Sequence, residues 1–179
     1  YRALRPPMSP FLAALHQSRV PSSRAVFDVC LPGFLSRMEW PVSGSDEWFY
    51  PGVYVGMGFA LPAAIGVALA DPARPVTVVA GDGGFQMTMQ ELGTAVQHGI
   101  PLTVVVVNDG GLTLIRRVQD RDFGGRRVEV DLLNPEFTRL AEAYGMPATL
   151  VRTPDELRQA LRQRFEATGP WLIEYRIEA

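Results

Sequence analysis

Two short runs of apolar, mostly β-branched residues constrain the fold of this chain more than any other feature. They span residues 76–80 and 102–107, and each is followed at once by a polar, glycine-rich turn. Unbroken apolar runs of this length are typical of strands that are covered on both faces, as in a parallel sheet. The sequence therefore predicts two central strands, each leading into a turn that can carry function.

The segment between the two runs predicts how they are connected. Residues 86–98 carry apolar residues at helical spacing, among them Leu92 and Val96, and Gly99 and Pro101 end the pattern. A strand–helix–strand crossover of this kind is right-handed and joins parallel strands. Both turns are then expected at the same carboxyl edge of the sheet, which is where open α/β sheets bind ligands.

The first turn places a carboxylate among glycines. Asp82 lies between Gly81 and the pair Gly83 and Gly84, where the backbone can approach a ligand closely. A helix predicted to begin near Phe85 would direct its free N–H groups at the same place, which suits an anion.

The second turn adds a further set of hard oxygen ligands, because Asn108 and Asp109 follow the second run. Two carboxylates, those of Asp82 and Asp109, together with carbonyl oxygens suit Mg²⁺ or Ca²⁺. Mg²⁺ usually shares its coordination with the phosphates of a substrate. The two turns together predict a site for Mg²⁺ and a diphosphate.

These residues also carry a family resemblance. The motif Gly81-Asp82-Gly83, followed after 24 residues by Asn108-Asp109, resembles the thiamin diphosphate motif of the 2-oxo acid decarboxylase and acetolactate synthase superfamily. Residues 56–66 resemble the segment just upstream in the same superfamily. The resemblance extends over most of the chain, and it matches only the diphosphate-binding domain of these enzymes.

The resemblance implies thiamin diphosphate and Mg²⁺ as cofactors and names residues to hold them. Asp82, the Asp109 side chain and the backbone carbonyl of Gly111 would bind Mg²⁺. Met57 would wedge beneath the cofactor and hold it in a V shape, and the carbonyl of Val55 would accept a hydrogen bond from the aminopyrimidine. The implied cofactor-binding residues are Val55, Met57, Gly81, Asp82, Gly83, Gly84, Asp109, Gly111 and Leu112.

The second turn departs from the family pattern. Asn108 matches the first residue of the usual Asn-Asn pair, and Asp109 stands at the second. A second carboxylate adds attraction for Mg²⁺ and also repulsion toward the diphosphate. Gly110 and Gly111 stand where biosynthetic acetolactate synthases have a Gln-His pair, which argues against a strict acetolactate synthase. A plain turn is the alternative interpretation of this tetrapeptide.

The resemblance further implies a missing part, since no residue of this chain matches the activating glutamate of the family. That glutamate lies on a separate pyrimidine-binding domain and acts across a subunit interface. The predicted organisation is therefore a linker end and lead-in helix (1–20) followed by the thiamin diphosphate-binding domain (21–179), with no catalytic residue in this chain. Alone it is expected to be inactive. It would be a fragment of a three-domain enzyme or one half of a split enzyme of the sulfopyruvate or phosphonopyruvate type.

The expected activity is decarboxylation of a small 2-oxo acid, acyloin carboligation, or both, in a homodimer or tetramer. The sequence does not reveal which 2-oxo acid is used or whether a flavin is also bound. A non-catalytic module that binds thiamin diphosphate or a nucleotide is a second hypothesis. A third, an NAD(P)-binding Rossmann domain, is disfavoured because residues 81–86 lack the third glycine and place Asp82 where the pyrophosphate would approach.

Composition excludes several other classes of site. All 17 basic residues are arginine, so a P-loop lysine, a Schiff-base lysine and a pyridoxal site are absent. Two histidines are too few for a common zinc site. A net charge of −2 gives no electrostatic case for nucleic acid or an anionic membrane. The single cysteine, Cys30, is interpreted as a small buried residue and fits a reducing cytoplasm.

Residues 51–70 lack any charge, so a membrane span is one interpretation of this stretch. Pro62 and four glycines interrupt this stretch, and a buried helix over residues 61–70 accounts for it better.

The remaining segments complete a doubly wound, mostly parallel sheet of about six strands with helices on both faces. The predicted elements are a lead-in helix capped by Ser9, a strand over 25–30, an irregular aromatic-rich segment over 31–50, a short helix over 112–118, a mobile loop over 119–127, helices starting at Asn134 and Thr153, and strands over 148–151 and 171–177.

Overall fold

The fold is built on one parallel sheet, and the computed structural model describes residues 5–165 and 168–177, without the side chains of residues 5–7 and 165. The strands are β1 (Arg24–Phe27), β2 (Trp48–Phe49), β3 (Val76–Gly81), β4 (Leu102–Asn108), β5 (Ala148–Val151) and β6 (Trp171–Arg176). The helices are α1 (Arg5–Gln17), α2 (Leu31–Glu39), α3 (Ala60–Ala70), α4 (Asp82–Gln86), α5 (Glu91–Gln97), α6 (Thr113–Asp122), α7 (Phe137–Ala143) and α8 (Pro154–Phe165).

The six strands pair in the order β2-β1-β3-β4-β6-β5, and every pairing is parallel. The chain goes outward from β1 to β2 and then returns to β3 on the other side of β1. The point between β1 and β3 is therefore the topological switch point, whose carboxyl edge opens a crevice in doubly wound sheets. This confirms the predicted fold class.

Alternate residues of the central strands form two separate cores. Val79 and Val105 pack on α1, α2 and α8, whereas Val78 and Val104 pack on α3, α5 and α7. All seven residues of β4 are buried, because helices cover both faces of the sheet. That explains why its sequence is a continuous apolar run rather than an alternating one.

The lead-in helix differs from the prediction at its start. α1 includes Arg5, and the hydroxyl of Ser9 donates to a Glu39 carboxylate oxygen at 2.7 Å instead of capping the helix. Pro10 lies inside the helix. Buried contacts of Phe11 and Leu12 with the core outweigh the backbone hydrogen bond that the proline cannot donate.

The prediction of an irregular segment over 31–50 is wrong, because the segment contains α2 and β2. Pro32 lies in the first turn of α2, where its missing N–H costs nothing. Gly33 obscured the helical pattern, yet the fold needs it, because a Cβ there would lie 2.0 Å from the Asp28 carbonyl oxygen.

The helix predicted over 86–98 is shorter than expected, because only α5 (Glu91–Gln97) forms there and the separate helix α4 ends at Gln86. Between them the backbone forms tight turns with hydrogen bonds to the third preceding residue, as in Met87 to Gly84 and Glu91 to Thr88. The Thr88 hydroxyl donates to the Gly58 carbonyl at 3.2 Å, which fixes these turns against the segment before α3.

Two boundaries beyond β4 also differ from the prediction. α6 continues to Asp122, so the non-helical part of the predicted loop over 119–127 begins at residue 123, and the Arg127–Asp120 ion pair links this part to α6. α7 begins at Phe137 rather than at Asn134, whose side chain is drawn away to Asp82.

The charge-free stretch 51–70 contains α3 with its buried face on the sheet, as predicted. Of the helices in the described part of the chain, none has both the length and the apolar character that crossing a bilayer requires.

Candidate functional site

The ends of β1, β3 and β4 surround a cavity of about 400 Å³ at the carboxyl edge of the sheet. Cys30 follows β1, Asp82 follows β3 and Asp109 follows β4, and all three line it. Apolar side chains of α2 and α6 form much of the remaining wall. The lining residues are Val29, Cys30, Leu31, Pro32, Phe34, Met57, Gly81, Asp82, Gly83, Gly84, Val107, Asp109, Gly111, Leu112, Thr113, Leu114, Ile115 and Val118.

The Asp82 carboxylate is the most heavily hydrogen-bonded group of the cavity. Its Oδ1 accepts from the Gly83 N–H at 2.8 Å. Its Oδ2 accepts from the N–H groups of Gly110 at 3.0 Å and Gly111 at 3.2 Å, and from Asn134 Nδ2 at 2.6 Å. The first turn is thereby joined directly to the second, as the crossover predicted.

Two carboxylates share this site. Burial raises the pKa of Asp82, while its N–H donors act in the opposite direction. Burial also raises the pKa of Asp109, and the negative charge of Asp82 adds to that effect. Two neighbouring carboxylates that both resist ionisation form a site that a divalent cation would stabilise.

The donor set fits Mg²⁺ better than a softer metal. The part of the chain that the structure describes has no cluster of three or more histidine, cysteine, aspartate or glutamate side chains. The available ligands are the carboxylates of Asp82 and Asp109 with backbone carbonyls such as that of Gly111. Two carboxylates with remaining positions left for water and phosphate are the set that Mg²⁺ favours.

Glycine is required at Gly111 by crowding. A Cβ there would lie 2.5 Å from the Val130 carbonyl oxygen. The segment is held this close by a hydrogen bond from the Leu112 N–H to Val130 at 2.8 Å. Arg116 Nη2 adds a hydrogen bond to the Gly110 carbonyl at 3.2 Å, which gives the second turn a further contact with α6.

Met57, the predicted wedge residue, lies next to Gly83 in the first turn. A Cβ at Gly83 would lie 2.8 Å from Leu112 Cδ2 and 3.5 Å from Met57 Cε. Met57 remains 36% exposed although it lines the cavity. It is therefore an accessible apolar side chain beside the Asp82 turn rather than an ordinary core residue.

All the sequence-predicted site residues except Val55 line the cavity. Val55 lies in the loop before Met57 with a φ of 50°, in the left-handed region that β-branched residues avoid. Strained backbone of this kind clusters at binding sites. Its side chain is 39% exposed, so side-chain burial does not explain the conformation.

Cys30 lines the cavity as a buried thiol without a histidine or cation partner among the described contacts. Burial raises its pKa, which leaves the unreactive thiol form. The structure confirms the interpretation of Cys30 as a buried small residue.

Asp28 is a site residue that the sequence did not reveal. It is 1% exposed, and its two carboxylate oxygens accept the Gly58 N–H at 3.1 and 3.0 Å. It therefore holds the segment that carries Met57. A Cβ on Gly84 would lie 3.2 Å from Asp28 Oδ2, so this carboxylate also abuts the Asp82 turn. Within the predicted strand 25–30 the only signal was a charged residue in an apolar run.

Comparison with known proteins places this geometry in context. The family model "Thiamine pyrophosphate enzyme, C-terminal TPP binding domain" matches residues 29–175. An acetolactate synthase of Arthrospira platensis is 39% identical over 137 residues, covering 75% of this chain and 24% of that protein. The acetolactate synthase large subunit of Haemophilus influenzae is 37% identical over 139 residues, covering 77% and 24%.

Solved structures agree in fold. A thiamine diphosphate-dependent 4-hydroxybenzoylformate decarboxylase of Rhodococcus jostii RHA1 superposes with a TM-score of 0.83 at 29% identity, covering 94% of this chain and 32% of that one. This chain thus spans about a quarter of the length of the curated relatives described above and about a third of this structure.

Proposed function

This chain belongs to the thiamine pyrophosphate enzyme family, as a C-terminal TPP-binding domain. On that premise we propose that it holds Mg²⁺ and the diphosphate of thiamin diphosphate in an enzyme acting on a 2-oxo acid. The observation that carries the proposal is the position of two neighbouring carboxylates, the buried Asp82 and the half-buried Asp109, at the carboxyl edge of the sheet.

The residues of this chain would divide the binding work between metal and cofactor. Asp82, Asp109 and the Gly111 carbonyl would hold Mg²⁺, which in turn neutralises the diphosphate. Gly81, Gly83 and Gly84 would let the backbone approach the phosphates. The Asp82 turn is already held in place by hydrogen bonds from Gly83, Gly110 and Gly111.

The apolar part of the cavity would orient the organic part of the cofactor. The side chains of Met57 and Leu112 both lie close to Gly83, where Met57 would support the V shape. The Val55 carbonyl would accept the aminopyrimidine hydrogen bond. Apolar side chains of α2 and α6 would exclude water from the reacting carbon.

Thiamin diphosphate, when bound, supplies a carbon nucleophile for the 2-oxo carbonyl and an electron sink for loss of CO₂. Nothing in the described part of this chain is placed to activate that group. We propose that a pyrimidine-binding domain, on the same polypeptide or a separate subunit, provides the missing acid in a homodimer or tetramer. Alone, the chain would bind without turnover. Both decarboxylation and acyloin carboligation fit these residues.

The binding role is tested by calorimetric titration of the chain with thiamin diphosphate in the presence of Mg²⁺. We expect Asp82→Asn to weaken binding by more than about 10-fold, the scale at which even outer-shell changes act on metal sites. Asp155→Asn is the matched control, because Asp155 is an exposed carboxylate on α8. Equal affinity of Asp82→Asn and the wild type, or competition by NAD, would contradict the proposal.

The non-catalytic module remains the second candidate, since binding alone does not require a partner. An immunoblot of the source cells separates the two. A band near 60 kDa, about three domains of ordinary size, would support a single long polypeptide, and a band near 20 kDa with a co-purifying pyrimidine-binding protein would support a split enzyme. A small band with no partner favours the module.

A further inference from the structure

A continuous chain of side-chain hydrogen bonds runs from β6 to the Asp82 carboxylate. Arg176 donates to Glu174 Oε1 through Nε at 3.0 Å and Nη2 at 2.7 Å. Asn108 Nδ2 donates to the same oxygen at 2.9 Å. Asn134 Nδ2 then donates both to Asn108 Oδ1 at 2.9 Å and to Asp82 Oδ2 at 2.6 Å. The three residues Glu174, Asn108 and Asn134 are called the relay below.

The relay has only one consistent direction. Glu174 Oε1 is ion-paired with Arg176 and therefore acts as an acceptor, so Asn108 turns its Nδ2 toward it. Asn108 then presents Oδ1 to Asn134, which must answer with its own Nδ2. The Asn134 Oδ1 left over accepts from Gln86 Nε2 at 2.8 Å. The neighbour of each amide thus decides which end is oxygen and which is nitrogen, although the two ends are nearly identical in shape.

The burial of the Glu174 carboxylate is unfavourable for the stability of the fold. It is fully buried, and its Oε2 has no hydrogen-bond partner in the described part of the chain. A buried carboxylate oxygen without a partner destabilises a fold. Its hydrogen bond with Asn108 points to a role in orienting that amide.

The relay ends at Asp82, whose two carboxylate oxygens accept different numbers of hydrogen bonds. Oδ2 accepts three hydrogen bonds, from Gly110, Gly111 and Asn134, whereas Oδ1 accepts one from Gly83. A carboxylate has about four acceptor sites in all. Oδ2 is therefore saturated, and Oδ1 is the oxygen with capacity for a cation.

We propose that Asn134 is a positioning residue of the metal site, which the relay from Glu174 orients so that Asp82 presents Oδ1 to the cation. This rests on the proposed function, in which Asp82 binds Mg²⁺. Removing the Asn134 donor would leave Oδ2 with its two backbone donors only and would reopen it to competing contacts. Carboxylate ligands are commonly held by such outer hydrogen bonds, and their loss weakens metal binding by about 10- to 100-fold.

The test is binding of Mn²⁺ to the chain in the presence of inorganic pyrophosphate, followed by electron paramagnetic resonance. Both probes would be held by this chain, so no partner domain is needed. We expect Asn134→Leu, which keeps the approximate volume and removes the donor, to lose about 10-fold or more in Mn²⁺ affinity. Leu133→Ala is the matched control, because this neighbouring side chain is fully exposed.

Glu174→Gln gives a second, independent variant, since it leaves Asn134 in place and removes the charge that holds Asn108 and Arg176. We expect a several-fold loss of Mn²⁺ affinity with a native circular dichroism spectrum. A merely structural role would lower the unfolding temperature and leave the affinity of the folded protein unchanged, which would overturn the proposal. If Asn134→Leu does not fold, Glu174→Gln alone decides by the same criterion.

The two proposals fail in different ways. A wild-type chain that binds neither Mn²⁺ nor pyrophosphate would overturn the proposed function and this inference with it. A wild type that binds Mn²⁺ while both variants bind it equally well would overturn the relay and leave the metal site standing.

Discussion

At the scale of single residues, close approach of backbone segments decides what the site tolerates. Gly111→Ala would place a Cβ 2.5 Å from the Val130 carbonyl oxygen, so one of two hydrogen-bonded segments must move. We expect a loss of about 1–3 kcal/mol in unfolding free energy, as for overpacked cores, together with weaker Mg²⁺ binding. Urea denaturation measures the first and calorimetry the second.

Gly66→Ala is the matched control for that substitution. Gly66 lies inside α3, and a Cβ there would meet nothing within 4 Å. Alanine at such a helical position is expected to stabilise by about 0.5–1 kcal/mol. If Gly111→Ala behaved like Gly66→Ala, the crowding at the second turn would be disproved.

The buried Asp28 predicts a pH dependence of stability. Burial raises its pKa above the ordinary value of 3.8, so the native state binds its proton more tightly than the unfolded state does. Its contribution to stability is complete below pH 3.8 and is lost as the pH rises through the raised native pKa, at no more than about 1.4 kcal/mol per pH unit. Below that window Asp28 is protonated in both states, so the slope vanishes.

Asp28→Asn isolates this effect. The contributions of Asp82 and Asp109 occur in both proteins and cancel in the difference. The unfolding free energy of the variant minus that of the wild type should therefore rise with pH above 3.8. Urea denaturation at a series of pH values measures it, and parallel curves for the two proteins would show that Asp28 titrates normally.

At the scale of elements, a helix end was predicted correctly where residues close in sequence determine it. The clearest is the start of α8, where the Glu156 N–H donates to Thr153 Oγ1 at 3.2 Å and the Thr153 N–H donates to Glu156 Oε2 at 3.3 Å. This reciprocal capping box was predicted from the spacing alone. Elements whose ends depend on distant contacts, such as α1 and α7, were placed less accurately.

We expect Thr153→Ala to lower the unfolding free energy by about 1 kcal/mol, because an N–H at the start of α8 loses its acceptor. Thr153→Ser keeps the hydroxyl and should retain most of the stability. The midpoint of urea denaturation at constant slope is the measurement. A loss of equal size in both variants would assign the effect to the methyl group instead of the cap.

At the scale of the whole molecule, one sheet carries two cores. Leu35 belongs to the core that α1, α2 and α8 cover, and Leu92 to the core on the opposite face. Because the same strands support both, we expect a single cooperative unfolding transition. Leu35→Ala and Leu92→Ala should each cost about 2–5 kcal/mol and shift that one transition.

Far-ultraviolet and near-ultraviolet circular dichroism, recorded on the same denaturation series, check this. Coincident curves are expected for the wild type and both variants. Two separated transitions, with each variant moving only one of them, would show that the faces unfold independently.

The sequence by itself predicted the two central strands, their glycine-rich turns and the carboxylates of Asp82 and Asp109 in those turns. These features depend on short-range pattern and on the rule that parallel crossovers bring strand ends to one edge. The same rule predicted that the two turns meet, which the hydrogen bonds from Gly110 and Gly111 to Asp82 confirm.

Only the tertiary structure decided which distant side chains support those turns. Asn134 reaches Asp82 across 52 residues, and Glu174 reaches Asn108 across 66. Their local sequences indicated a helix start and a strand, because a residue's pattern reports its own element and not its partner. A hydrogen bond between elements depends on where the folded sheet brings them, and burial makes it worth forming.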